Sequence, residues 1–367
     1  MKKRELIDIL VGLGNKVLLK REQPELPNLS TKGWNKMLTI ASMQGLLPVI
    51  TSLFANYKPE DEQLKWDLME WHVSSLENHQ EYQLRIHNMR EMAKMFKEEG
   101  LDIMFLKGAT LAQLYPKPEW RVFSDIDYYL FGKSEQGIEV MARHGIENSA
   151  YYHHHTQAMM NNVSLENHYD FVERVNHKCD IILDDALKAL AEKEGRSLRA
   201  EFLGDDVKNA YLMTPTMNAI FLMRHMSAHF VGESISLRIL YDWALFLKKY
   251  VREVDWNYVV PLYEQSGMMR FAEIIMTILK THMEFECEAC PVAFGGREDA
   301  ERVWESIIYP PKQDPYEKFS MRYYLFETKT FFGNRWKHKI VYPGESFLWL
   351  FLKYSWLSMK KKTGMLK

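Results

Sequence analysis

The hydrophobic rhythm of the chain changes twice. From Lys3 to about Gly100 apolar residues recur at roughly three- and four-residue intervals, as in Trp66, Met69, Trp71, Val73 and Leu76 and again in Leu84, Ile86, Met89, Met92 and Met95. That spacing belongs to helices that bury one face. Between about 101 and 175 it gives way to short apolar runs closed by glycine or asparagine: LDIMFLKG, SDIDYYLFG, YYHHHTQAMM and NVSLENHYDFV. These read as strands, the last two joined by a turn at Asn161 and Asn162. The helical period then returns in TPTMNAIFLMRHMSAHFV, SISLRILYDWALFLKKY and MMRFAEIIMTILKTHMEF. Thr214 is placed to cap the first of these, with Pro215 at its first helical position. The expected class is therefore α+β. A small mixed-sheet core over 101–177 is flanked by an N-terminal helical region, 1–100, and a C-terminal helical domain, 178–367.

With 367 residues the chain is long enough for two or three domains and a substantial core. Its 47 basic and 49 acidic residues nearly cancel, so no global field favours long nucleic acid or an anionic membrane as partner. Three cysteines, Cys179, Cys287 and Cys290, are too few for a disulfide framework and fit a reducing compartment, the cytoplasm being the simplest expectation. The start, MKKRELIDILVGLGNKV, is interrupted by Glu5 and Asp8 and reads as an amphipathic helix rather than a signal peptide. The most apolar segment, SFLWLFLKYSWLSMKKK, contains Lys353 and falls short of the ~20 residues that cross a bilayer. A core helix with a basic C-terminal end is expected there, ahead of a helix lying on a membrane surface.

Chemistry concentrates in RVFSDIDYYL. In a strand Asp125 and Asp127 project to one face while Ile126 and Tyr128 project to the other. Two carboxylates held that close repel unless a cation lies between them. Hard oxygen ligands suit Mg²⁺, which takes one or two carboxylates together with substrate phosphates. The competing explanation is a half-exposed strand with both acids simply solvated. Upstream, FLKGATLAQLYP closes an apolar run at Lys107 and Gly108 where a helix would begin, and a glycine followed by free N–H groups lets a phosphate approach.

The stretch LKGATLAQLYPKPEWRVFSDIDYYL resembles the uncharacterised nucleotidyltransferase family, a branch of the DNA polymerase β-like nucleotidyltransferase superfamily. Leu106, Lys107, Gly108, Tyr115, Pro116, Pro118, Arg121, Asp125 and Asp127 carry the likeness, which is dense over about twenty-five residues and looser to residue 250. The resemblance implies transfer of a nucleoside monophosphate from an NTP, ATP foremost, to an acceptor hydroxyl, with two Mg²⁺ ions, or Mn²⁺ in their place, held by acids. It also implies a third acid on a neighbouring strand. Glu166 in NVSLENHYDF is the leading candidate, with Asp170 and Asp180 as rivals, and His168 shares its expected face. Asp125, Asp127 and Glu166 are thus the implied catalytic and metal residues. Lys107, Gly108, Ala109, Thr110, Arg121 and His168 are the implied substrate contacts. This chain departs from the superfamily in having Ala109 where a serine or glycine usually follows the turn glycine, so Thr110 is left to supply a hydroxyl. The acceptor, a small molecule or a protein, is not specified.

Two other readings share these residues. D-I-D also serves as the metal motif of nucleotide-sugar glycosyltransferases, although nearly a hundred helical residues precede it here. A non-catalytic nucleotide-binding module of the same fold is the other.

Remaining signals point elsewhere. In HHH, 153–155, alternation leaves only His153 and His155 able to share an ion, with no acidic or cysteine partner at ligand spacing. His225 and His229 have the spacing of a metalloprotease helix, but Met226 stands where its glutamate would be. Arg238 and Asp242 are spaced for an intrahelical pair. The single C-x-x-C at 287–290 lacks the second pair that zinc needs.

Overall fold

The computed structural model describes residues 2–362 apart from 56, 58, 176, 311–315 and 317–319, with side chains described as far as 355. Six short strands form one sheet: β1 (Ile103–Phe105), β2 (Asp125–Tyr129), β3 (Asn148–Tyr151), β4 (His155–Met160), β5 (Val163–His168) and β6 (Ala210–Leu212). Their order is β3-β4-β5-β2-β1-β6. The β2–β5 and β1–β6 pairs are parallel and the other three antiparallel, so the sheet is mixed and the class is α+β as expected. The β4–β5 hairpin turns through Asn161 and Asn162 at φ +50° and +62°, values that asparagine tolerates better than most residues. The sixth strand comes from beyond the 101–177 segment. Three residues ahead of the Thr214 cap are too few for alternation to register in a sequence.

Helices cover both faces. On one, Ile103, Phe105, Ile126, Tyr128, Val163 and Leu165 meet Met89, Met92 and Phe96 of the helix Glu62–Glu98, with Val140 and Met141 of the helix Ser134–Arg143. Each such side chain contributes ~1.5–3 kcal/mol on burial, which pins the sheet against the long helix. That helix is a single rod of 37 residues, opened by the Asp61 carboxylate accepting from the Gln63 and Leu64 N–H groups. Its first half follows the expected burial only in part: Trp71 packs against the larger core, but Trp66, Met69, Val73 and Leu76 are exposed. On the opposite face Met104, Leu106 and Tyr129 join a larger core with the helices Lys178–Glu194 and Pro215–Gly232. Thr214 caps the latter by accepting from the Met217 N–H, as the sequence predicts.

The C-terminal helix Phe347–Lys362 corrects the expectation of a core helix. Leu350 is buried, but Leu348, Trp349 and Leu352 lie on the surface, because only one stripe of an all-round apolar segment meets the body. Among the described residues no helix is long and apolar enough to cross a membrane.

Candidate active site

The parallel register of β2 and β5 sets Asp125 opposite Ser164 and Asp127 opposite Glu166. Asp125, Asp127 and Glu166 consequently share one face, and one oxygen from each lies within 4.8 Å of the others. Ile126, between the two aspartates, and Leu165, just before Glu166, go into the core on the far side. The three acids thus stand together.

Asp127 is buried at the centre. Its Oδ1 lies 3.0 Å from Lys107 Nζ and 3.1 Å from His168 Nε2, while its Oδ2 is buried with no hydrogen-bond partner. Burial disfavours the Asp127 anion, but Lys107 and the bond from His168 outweigh it and hold the carboxyl well below its usual range. Burial pushes Asp125 the other way, upward, with the Asp127 charge adding to the effect. Lys107 is raised despite burial, because Asp127, Asp125 and Glu166 all face it. His168 is raised despite burial by its bonds to Asp127 and Glu166. Three carboxylates therefore confront one lysine and one histidine. The donor set is all hard oxygen, one of those oxygens is orphaned, and a divalent cation fits both facts.

The glycine turn is present but differs from expectation. Gly108 has φ +66°, and a Cβ there would come within 3.2 Å of the Phe123 ring, so the turn requires glycine. The helix after it spans only Ala109–Ala112, a single turn with no appreciable dipole to hold an anion. Thr110 Oγ1 donates back to the carbonyls of Leu106 and Lys107, and Ala109 is buried, which leaves backbone N–H groups as the local donors.

Arg121 is engaged within the protein. Its Nε and Nη2 each donate to Asp242 at 2.8 Å, and Nη1 donates to the Gly108 carbonyl at 3.1 Å. Tyr115 adds an O–H bond to Asp242 at 2.9 Å. Arg121 therefore ties the glycine turn to the helix Leu237–Tyr250. The expected Arg238–Asp242 pair exists at 3.3 Å but is one contact among several. Sequence spacing could not reveal the Arg121 fork, since its partners are 121 positions apart.

The helix Pro215–Gly232 brings His225 to a narrow cleft shared with Lys107, Arg121 and Arg238. Burial, then Lys107, holds His225 well below the ordinary imidazole range, so it presents a neutral ring. His229 lies further out, its side chain 40% exposed. The rival third acids are engaged elsewhere: Asp170 pairs with Lys188, and Asp180 accepts from Arg224 Nη2 at 2.9 Å inside the core.

The histidine run corrects the earlier reading. His153 and His154 lie in a bend, and only His155 enters β4, where it faces His168 across the hairpin. An acid is in fact close: Glu166 Oε1 is 3.8 Å from His155 Nε2. Its place on the next strand hides it from spacing along the chain. Cys287 and Cys290 are free thiols, both pushed up by burial, the latter to about 11.

No match to a curated protein or to a solved structure was found. The family model described as uncharacterised nucleotidyltransferase matches residues 30–284, over half the chain and all of the acid cluster and glycine turn, and the protein belongs to that family.

Proposed function

We propose that the protein transfers a nucleoside monophosphate from an NTP, ATP foremost, to an acceptor hydroxyl and releases pyrophosphate. The observation that carries this reading is the convergence of Asp125, Asp127 and Glu166 within 4.8 Å on one sheet face beside a glycine turn. Two Mg²⁺ ions, replaceable by Mn²⁺, would be held by these acids, where they would neutralise the triphosphate and ease ionisation of the acceptor. Lys107 adds a positive charge at the turn for the phosphates, and the backbone of Gly108 and Ala109 gives them room to approach. Glu166, the partly exposed acid, receives the acceptor proton as the new bond from oxygen to the α-phosphorus forms and the bond to pyrophosphate breaks. His168 holds Asp127 and Glu166 in place, and Arg121 fixes the turn through the Gly108 carbonyl. Chemistry of this type is mainly positioning and charge neutralisation, which these groups supply. Family membership favours nucleotidyl over glycosyl transfer. The free thiols fit a cytoplasmic setting.

The test uses Asp125→Asn and Glu166→Gln, with Mg²⁺-dependent NTP binding followed by calorimetry and pyrophosphate release followed over a panel of small-molecule and protein acceptors. Loss of turnover in both variants, with melting temperatures kept, is expected. Wild-type turnover in either removes the reading. A second reading, nucleotide binding without transfer, draws on the inward-turned Thr110 hydroxyl and the one-turn helix. Binding without pyrophosphate release across the panel would select it.

A further inference from the structure

We propose that the same sheet face carries a second, nitrogen-rich cation position formed by His155, Glu166 and His168, which takes a borderline divalent ion such as Zn²⁺ in preference to Mg²⁺. The antiparallel register sets His155 directly opposite His168, with Glu166 two residues before His168 on the same face. One donor atom from each lies within 4.8 Å of the others, His155 Nε2 and His168 Nε2 standing 3.8 and 3.7 Å from the two Glu166 oxygens. Tetrahedral bonds of about 2.0–2.2 Å to nitrogen and oxygen place ligand atoms roughly 3.3–3.6 Å apart, so each histidine–glutamate pair stands within a few tenths of an ångström of ligand spacing, and the three donor atoms together within 4.8 Å. Two imidazoles and one carboxylate suit zinc, cobalt or manganese, whereas Mg²⁺ prefers oxygen alone.

The two rings are held for this role in different ways. His168 directs Nδ1 to the Asp170 carbonyl at 3.2 Å, which fixes the ring; its Nε2, 3.1 Å from Asp127 Oδ1 and 3.7 Å from Glu166 Oε2, gives up its proton and the Asp127 bond when it takes the ion. The His155 side chain is only 10% exposed; its Nδ1 is buried without a hydrogen-bond partner, and its Nε2 faces Glu166 Oε1 across 3.8 Å. Its ring is set by stacking on Tyr152, with centroids 4.8 Å apart. At 3.8 Å from Glu166 Oε1 the His155 Nε2 is too far for a hydrogen bond, and an ion between the two atoms satisfies both at once.

Glu166 belongs to both positions, so their occupancies are linked. A borderline ion on the histidines draws Glu166 from Asp125 and Asp127, and Mg²⁺-dependent nucleotide binding weakens as Zn²⁺ rises. This linkage rests on the function proposed above; the ion position itself does not.

The full-length chain is titrated with ZnCl₂ by calorimetry and with CoCl₂ by visible absorption, which reports nitrogen ligation. The wild type is compared with His155→Ala, His155→Gln and Asp125→Asn, folding being checked by circular dichroism so that either His155 variant can carry the result. A loss of Zn²⁺ affinity of ~10-fold or more is expected on removing His155, with affinity retained in Asp125→Asn. Equal affinity with and without His155, or loss only in Asp125→Asn, overturns the proposal. Wild-type binding of Mg²⁺ and NTP is measured in parallel. Zn²⁺ capture by the histidines in a protein that binds no nucleotide would sink the transferase reading and leave this position standing; nucleotide binding with no Zn²⁺ capture would do the reverse.

Discussion

Asp242 and Asp127 are both carboxylates with almost no exposed surface, at 5% and 3%, yet they are provided for differently. Asp242 has both oxygens occupied: Oδ1 accepts from Arg121 Nε and the Tyr115 hydroxyl, and Oδ2 from Arg121 Nη2 and Arg238 Nη1. Asp127 has Lys107 and His168 on one oxygen, nothing on the other, and two further acids beside it. A buried charge whose bonding capacity is filled holds a fold together. One left with spare capacity among like charges is costly unless something else binds there. The two clusters share the Gly108 turn, held by Arg121 on one side and opening toward the acids on the other, so the satisfied cluster positions the unsatisfied one.

Four predictions probe this contrast. The largest effect is expected from Asp242→Asn, which leaves Arg121 buried and uncompensated, at a cost of about 3–5 kcal/mol read from urea denaturation. Asp180→Asn, opposite Arg224, should cost a similar amount; a change near zero in both would show that satisfied pairs are not the staples. Next, Asp125→Asn should lower Mg²⁺-dependent turnover on the order of 10²–10³-fold. Its stability should hold or rise, because Asp125 is disfavoured by burial and by Asp127. A large drop in melting temperature would place Asp125 with the structural cluster instead.

The third asks whether a missing partner alone marks a functional group. His338 is buried with Nδ1 unpaired, far along the chain from the acids, and burial pushes its imidazole down to about 4. An unfolded histidine binds its proton near 6.5. Between pH 6.5 and 4 the unfolded chain therefore takes up a proton that the folded chain refuses, and stability present above pH 6.5 declines as pH falls. The expected loss is about 1–2 kcal/mol by pH 5. His338→Phe should flatten this slope and leave nucleotide affinity alone; altered affinity would break the distinction between isolated orphans and clustered ones. The smallest effect belongs to Thr110→Ala. Its hydroxyl bonds the Leu106 and Lys107 carbonyls, so stability should drop by about 0.5–1.5 kcal/mol with unchanged NTP affinity in calorimetry. Weakened NTP binding would return Thr110 to the phosphate site.

Legibility in the sequence followed distance along the chain. The period-two run around Asp125 and Asp127 placed two acids on one face, and the helical rhythm on either side announced the α+β class. The Asn161 and Asn162 turn was readable because two adjacent asparagines tolerate positive φ. By contrast, β6 was too short to show a pattern. The Arg121–Asp242 fork joins residues that no local rule connects, so Arg121 looked like a free cation for a phosphate. The histidine run was discounted as an ion site for the same reason: its acidic neighbour, Glu166, lies across a hairpin.

Local stereochemistry is written residue by residue, so the sequence alone determined the alternation of side chains, the glycine at the 108 turn, the Thr214 cap and the identity of the acids. Register, layering and long-range pairing are properties of the packed chain. Only the tertiary structure decided that β2 lies against β5 with Asp127 opposite Glu166, that Asp127 keeps an unpaired oxygen, and that Asp242 does not. The physical reason is that burial and hydrogen-bond satisfaction depend on which distant surfaces meet, and no spacing rule along the chain encodes that meeting.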